Sequence, residues 1–232
     1  YRHGGYSAYF DGNGDNIEFT SVASTGNVWT LEWWFYTPDV SQTYQSFFHG
    51  GEQVLLNNAT FYIWNTLSHQ TSVTANEWHH AAIVGTANDI YLYLDGTKST
   101  NSLSANTFNF ARITRTNSEA FEGYITDVRF LDGTSLYTTS FTPPTERLTA
   151  ITNTKFLACH LPYFKDEGSA NSTLTFNGNV EARPFSPFTH SGYQTSDHGG
   201  SYYFGGSSDK MSATFSSALG TGDWTFEYFF FF

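Results

Sequence analysis

Asp11-Gly12-Asn13-Gly14-Asp15 places two carboxylates and an amide within five residues. Ca²⁺ takes roughly six to eight oxygen ligands from carboxylates and carbonyls. Asp11, Asn13 and Asp15, joined by Asp127, are therefore the candidate calcium ligands, and calcium is the one cofactor expected. The same residues are ordinary turn formers, so a plain turn is the competing reading. A second set gathers around Trp64, with Asn57, Asn58 and Asn65 near it in sequence. An exposed indole face can stack on a sugar ring while amides bond its hydroxyls. Those four are the candidate glycan-binding residues. Trp34, Tyr36 and Tyr44 offer further rings, although an aromatic on a sheet face more often packs against protein.

The remaining reactive side chains point to structure. Glu32 lies in Trp29-Thr30-Leu31-Glu32-Trp33-Trp34-Phe35-Tyr36 and reads as a sheet-face carboxylate satisfied by a neighbouring strand. His79 and His80 are adjacent on a strand and point to opposite faces, so they cannot easily share one metal. His80 is expected against the core and His79 outside. The single Cys159 excludes an intrachain disulfide and reads as a small buried residue. No Ser-His-Asp or Cys-His arrangement has supporting context, and no Gly-rich loop precedes a helix.

The elements that must position these residues are strands. In 29–36, Trp29, Leu31, Trp33 and Phe35 fall on one face and Thr30, Glu32, Trp34 and Tyr36 on the other. Further extended runs cover 6–10, 16–19, 47–49, 54–56, 61–64, 78–84, 90–94, 111–116, 121–130, 155–158 and 174–176. Asn57-Asn58 reads as a hairpin turn, and Asp95-Gly96 is a strong hairpin signal. Residues 135–137 are expected to make one helical turn. Phe141-Thr142-Pro143-Pro144 reads as an extended brace, because Pro before Pro cannot be helical. No segment keeps a helical period over a dozen residues. Many short strands with turns about every 8–12 residues point to a β-sandwich.

The opening strand recurs. Trp224-Thr225-Phe226-Glu227-Tyr228-Phe229-Phe230-Phe231 echoes 29–36 at an offset of 224 − 29 = 195. His3-Gly4-Gly5 returns as His198-Gly199-Gly200 at the same offset, and Tyr9-Phe10 as Tyr203-Phe204 at 204 − 10 = 194. The chain therefore reads as a complete domain over 1–182, a linker over 183–198 and the first strands of a second copy over 199–232. Tyr1 lies inside a repeat motif and Phe232 inside a strand, so both ends are expected to continue in a longer chain.

The formal net charge is −11, from 21 acidic and 10 basic residues. A chain this acidic repels phosphate, which argues against nucleic acid as a partner. No apolar run approaches the roughly 18 residues of a membrane span, so no membrane insertion is expected.

Four motifs in order resemble the laminin G-like branch of the concanavalin A-like jelly rolls. They are Tyr9-Phe10-Asp11-Gly12-Asn13-Gly14-Asp15, the strand 29–36, Glu77-Trp78-His79-His80-Ala81-Ala82 with Tyr91-Leu92-Tyr93-Leu94-Asp95-Gly96, and Phe121-Glu122-Gly123-Tyr124-Ile125-Thr126-Asp127-Val128-Arg129. The segment from Gly133-Thr134-Ser135-Leu136-Tyr137 through Phe141-Thr142-Pro143-Pro144 to Thr152-Asn153-Thr154-Lys155-Phe156-Leu157 resembles the version repeated in large bacteriophage virion proteins. The resemblance implies an all-β, antiparallel jelly-roll sandwich in tandem repeat. Relatives in this fold often hold Ca²⁺ at the sandwich rim. Glycanases of the fold carry a Glu-x-Asp-x-x-Glu strand, whose carboxylates share one face. Here Glu32 is followed by Trp34 and Phe35 where further carboxylates would sit, so no catalytic residue is expected.

The expectation is a non-enzymatic structural or adhesion module of a virion appendage: a fibre, a tail part or a capsid decoration. Its partners would be other copies, neighbouring virion proteins and host-surface polysaccharide, at the virion surface. The alternatives are a secreted, cell-surface bacterial adhesin and, behind it, a glycan-cleaving enzyme.

Overall fold

The computed structural model describes residues 5–51, 53–63, 66–116 and 119–188, with Lys210 and Ser212. The chain divides into two compact units, Tyr1–Gly192 and Tyr193–Phe232. The described strands all lie in the first. The proposed second copy over 199–232 falls outside the described residues except for those two positions.

The alternating pattern of the aromatic strand sets the architecture. In β3 (Trp29–Tyr36), Trp29, Leu31, Trp33 and Phe35 turn inward and are fully buried. Around β3 stands sheet A, in the order β10 (Thr97–Lys98), β9 (Asp89–Leu94), β8 (Trp78–Gly85), β3, β13 (Glu122–Asp132), β1 (Ser7–Asp11) and β16 (Glu181–Arg183). Two short strands join it: β11 (Leu103–Ser104) pairs with β9, and β14 (Thr154–Ala158) with β13. Sheet B runs β15 (Thr175–Asn177), β2 (Asn16–Ala23), β12 (Asn109–Ile113), β4 (Gln45–His49), β5 (Val54–Asn57), β6 (Thr60–Ile63) and β7 (Leu67–Ser72). Every pairing is antiparallel, from β1 with β13 and β16 onward. The two sheets close on one aromatic core. Trp33 lies 4.7 Å from Phe48 and 5.6 Å from Phe61, ring centre to ring centre.

Short local features fix the register. The β5–β6 turn uses Asn58 and Ala59, both at positive φ of 47° and 66°, the backbone a two-residue type I′ hairpin demands. The β9–β10 turn is Asp95-Gly96, also at positive φ. On β13 the pairing with β3 shifts between Thr126 and Arg129, where Asp127 sits at φ 52°. This bulge turns the Asp127 side chain into the protein.

Part of the outer face of sheet A, over β3, β8 and β9, is covered. After β13 the chain runs back across that face as a brace. Thr30 Oγ1 donates to the Thr134 carbonyl and accepts from Leu136 N–H, and Ser135 Oγ donates to the Gly85 carbonyl. Tyr137 and Phe141 pack on Ala82, Val84 and Tyr93 as a second apolar cluster. Residues 135–137 are therefore extended, not helical as expected, because their polar groups bond to β3 and β8 instead of to one another. Phe141-Thr142-Pro143-Pro144 is the brace the sequence suggested.

Several elements depart from the sequence reading, β10 and β16 among them. β7 was unforeseen; it is an edge strand with polar side chains, stitched to the other sheet by His69 Nε2 to Thr97 O and Gln70 Nε2 to Lys98 O. The short β11 was unforeseen as well. Residues expected to open a linker from 183 belong to the sandwich instead: Arg183 completes β16, and Phe185 and Phe188 pack on sheet A, Phe188 lying 5.9 Å from Trp34.

Candidate functional site

Glu32 stands at the centre of the outer face of sheet A. On its neighbours in register stand Arg129 of β13 and Ala82 of β8, whose small side chain leaves room. Arg129 donates from Nε and Nη2 to Glu32 Oε1 at 2.9 and 2.7 Å. Tyr137 of the brace donates to Oε2 at 2.8 Å, and His80 Nε2 meets the same oxygen at 3.2 Å. Arg129 Nη1 reaches the Thr149 carbonyl at 2.9 Å, tying the far end of the brace to the same group. Glu32 is fully buried. Burial opposes its charge, but the His80, Arg129 and Tyr137 interactions outweigh that, so its pKa lies below the usual carboxylate value. Burial and the Glu32 charge together push the Tyr137 phenol well up. A carboxylate locked as acceptor, with no solvent access, cannot serve as a general acid or a nucleophile. This is the neighbour-satisfied carboxylate that the sequence suggested, with a brace partner it did not.

The two histidines are placed the other way round from expectation. His79 faces inward with Phe35, its ring 5.5 Å away, and holds Asp95 Oδ2 at 2.7 Å. His80 faces outward with Trp34 and Glu32, under the brace. On β8 both faces are apolar over Ala81, Ala82, Ile83 and Val84, so alternation could not tell them apart. Burial opposes protonation of His79, yet its bond and charge contact with Asp95 carry the pKa upward overall.

The four expected calcium ligands do not converge. Asp11 pairs in register with Glu122, and Asp127 stands five residues further along β13, roughly 16 Å away at 3.3 Å per residue. Both Asp127 oxygens are engaged, one by Leu148 N–H at 2.6 Å and one by Thr126 Oγ1 at 2.7 Å. Burial raises its pKa. The Asp11-to-Asp15 turn is built on N–H donors. Asp11 N–H and Asn179 N–H bond to Asp15, and Asn13 N–H bonds to Asp11 Oδ1. The Asn179 side-chain amide lies 3.2 Å from both Asp11 Oδ2 and Asp15 Oδ1, and meets these two acceptors when its nitrogen is oriented toward them. Donors face these oxygens where a cation would need them free, so the set does not fit calcium and fits a turn. Among the described residues no group of three or more His, Cys, Asp or Glu side chains is placed to hold a metal.

Of the four expected glycan residues, Trp64 and Asn65 lie outside the described residues. Asn57 and Asn58 sit at the β5–β6 hairpin, with Asn58 Nδ2 donating to Asn57 Oδ1 at 3.0 Å. Asn57 also lines a depression of about 300 Å³ on the outer face of sheet B, with Thr60, Tyr62, Thr66, Leu67 and Ser68. Tyr62 is half-buried there, and its pKa is raised by that burial and by the neighbouring Tyr44, against a bond from Asn57. Tyr62 was missed. Its signal was the alternation Phe61-Tyr62-Ile63, which turns the phenol outward between two core residues. Of the other rings considered, Trp34 is buried beneath Phe188, and Tyr36 lines a separate cleft.

A laminin G family profile, described as the concanavalin A-like lectin/glucanases superfamily, matches residues 11–136, more than half of the chain. The chain belongs to that superfamily. The match runs from the end of β1 past β13 and stops at the start of the brace. Among solved structures, a Bacteroides ovatus ATCC 8483 protein provisionally described as carbohydrate binding superposes with a TM-score of 0.56 at 12% identity. The alignment covers 77% of this chain and 59% of that one, so the likeness establishes the fold over little more than half of the relative's length. A native heptameric SAP-like pentraxin from Limulus polyphemus aligns with a TM-score of 0.44 at 10% identity, over 78% of this chain and 94% of that one. An alginate lyase from Corynebacterium sp. reaches only 0.24 at 12% identity, over 50% and 51%. No curated protein sequence matches.

Proposed function

We propose that the chain is a non-catalytic carbohydrate-binding module whose ligand lies on the open face of sheet B. The depression beside Tyr62 carries this reading. The phenol gives an apolar face for a pyranose ring, and Asn57, Thr60 and Ser68 supply donors and acceptors at its edge. The superfamily supports a sugar ligand, and the buried, fully bonded Glu32 supports binding without cleavage.

A shallow site of this kind binds weakly alone and gains through repetition, since linked copies raise effective concentration. The echo of 29–36 at an offset of 195 supports a tandem array, with the domain over 1–182 extended by β16 and the second copy over 199–232. We read the array as part of a virion appendage that touches host-surface polysaccharide and neighbouring virion proteins. The support is the segment from Gly133 to Leu157, whose order resembles repeated phage virion domains.

A glycan array probed with the chain and with Tyr62→Ala tests the first part. Specific signal that Tyr62→Ala removes is the expected result. An array that stays blank with and without Ca²⁺ rejects carbohydrate binding and leaves a scaffold. Imaging of intact particles with a labelled binder against this chain tests the virion setting.

A further inference from the structure

The outer face of sheet A carries a row of aromatic side chains that the sugar-binding reading does not use. Tyr9, Tyr124, Tyr36 and Trp78 are successive partners in register across β1, β13, β3 and β8. Antiparallel partners point the same way, so four neighbouring strands contribute one ring each to a single line. Tyr9 and Tyr124 lie 5.0 Å apart at a 45° tilt, and Tyr36 meets Tyr124 nearly edge-on at 5.9 Å. Phe185, in the segment after β16, stands over the row 4.7 Å from Tyr124 and 5.1 Å from Tyr36, and is 37% exposed.

Between these rings a cleft of about 300 Å³ remains open. Its floor is the backbone of Gly123, which at φ 137° lies so close to β3 that an added Cβ would come within 2.0 Å of the Tyr36 carbonyl oxygen. One wall is the Glu122 carboxylate, on the same face as Tyr124 two residues away.

The charges around the cleft are unbalanced toward negative. Glu122 is the register partner of Asp11, and Glu181 is that of Tyr9. Arg183 stands at the edge of the cleft, paired with Glu181 at 3.0 Å and bonded to the Tyr124 hydroxyl. Its guanidinium already stands 3.8 Å above the Tyr9 ring. The fold thus shows a cation using one face of this row, while Tyr36, Tyr124 and Phe185 line space beside it. Aromatic faces together with a carboxylate are the chemistry that selects a cation over a neutral group of the same shape. A neutral sugar would leave the Glu122 charge without a counterpart, and an anion would be repelled.

We propose that this cleft is a binding site for a small organic cation, a methylated ammonium group, held by the tyrosine faces and the Glu122 carboxylate. It is separate from the depression at Tyr62, which lies on the other sheet.

Choline and its uncharged isostere 3,3-dimethyl-1-butanol, titrated into the full chain by calorimetry and followed by aromatic fluorescence, test this. Choline is expected to bind saturably in the millimolar range or tighter, with the isostere about tenfold weaker. Glu122→Gln and Tyr9→Leu should each weaken choline several-fold with melting temperatures near that of the unaltered chain. Tyr62→Ala should leave choline binding unchanged, and a glycan array read on the same samples scores the sugar site separately. Equal affinity for the isostere would reduce the cleft to an apolar hollow and overturn the proposal. So would the absence of saturable choline binding, or choline binding untouched by Glu122→Gln in a folded variant.

Discussion

Two glutamate–arginine pairs stand in equivalent positions on the two sheets. Glu32 and Arg129 are register partners on β3 and β13, 2.7 Å apart; Glu18 and Arg112 are register partners on β2 and β12, 2.8 Å apart. Both are carboxylate–guanidinium contacts at nearly the same distance. On sheet A the brace has removed both groups from water, leaving Glu32 fully buried. On sheet B the side chains remain 40% and 30% exposed. Burial raises the cost of losing either partner, because the survivor is left charged in a poor solvent. Exposure lets water and salt replace a lost partner. The part of sheet A under the brace is therefore where the fold is held, and the surfaces outside the brace are where a ligand can be met without disturbing it.

The largest expected difference is in stability. Glu32→Ala should cost about 3–5 kcal/mol in urea denaturation, against about 1 kcal/mol or less for Glu18→Ala. Equal losses would erase the contrast. Next comes pH. The Glu32 pKa is depressed in the folded state, so its stabilisation is full above the unfolded carboxylate value and is lost as pH falls through the folded value. Melts below about pH 4.3 should show a steep acid loss in the native chain that is blunted in Glu32→Gln and kept in Glu18→Gln. Tyr62→Ala should then remove sugar binding on the open face while changing stability by about 1 kcal/mol or less. Tyr137→Phe, which deletes only a hydroxyl bonded to Glu32, should lower stability by about 1–3 kcal/mol with sugar binding intact. The smallest effect is expected from calcium. Millimolar Ca²⁺ or chelator should leave the melting temperature unchanged, and a clear upward shift with Ca²⁺ would show that the Asp11-to-Asp15 turn reorganises around a cation.

The sequence carried the sandwich because its core strands alternate, above all Trp29 to Tyr36. It carried the position of Glu32 on the face away from the core for the same reason. It could not carry the partners. Arg129 is 97 residues away and Tyr137 is 105, and only the fold brings them together. The histidine faces were illegible because β8 is apolar on both sides, which the brace makes necessary. β7 was illegible because an edge strand with one face in water needs few apolar residues. Asp127 reads as a ligand in isolation, and only the bulge on β13 explains why it points at Leu148 N–H instead. Tyr62, the ring on the open face, had a two-residue period as its only sign.

The pairing of β1 with β16 has a mechanical side. Ser7, where the first strand begins, lies opposite Arg183, where the last one ends. The outer ends of the first and last strands thus lie side by side on one edge, and residues 184–188 run back over sheet A from there. A module with adjacent ends can be spliced into another chain as a side loop, without breaking that chain's path. A pull on the two strand ends, once residues 184–188 have peeled from the face, loads the β1–β16 ladder one hydrogen bond at a time, as a zip, rather than all bonds together in shear. The sandwich behind it, with the Glu32 lock, would stay out of the line of force. Tension would part this seam first, at low force, and the rest of the module would stay shut.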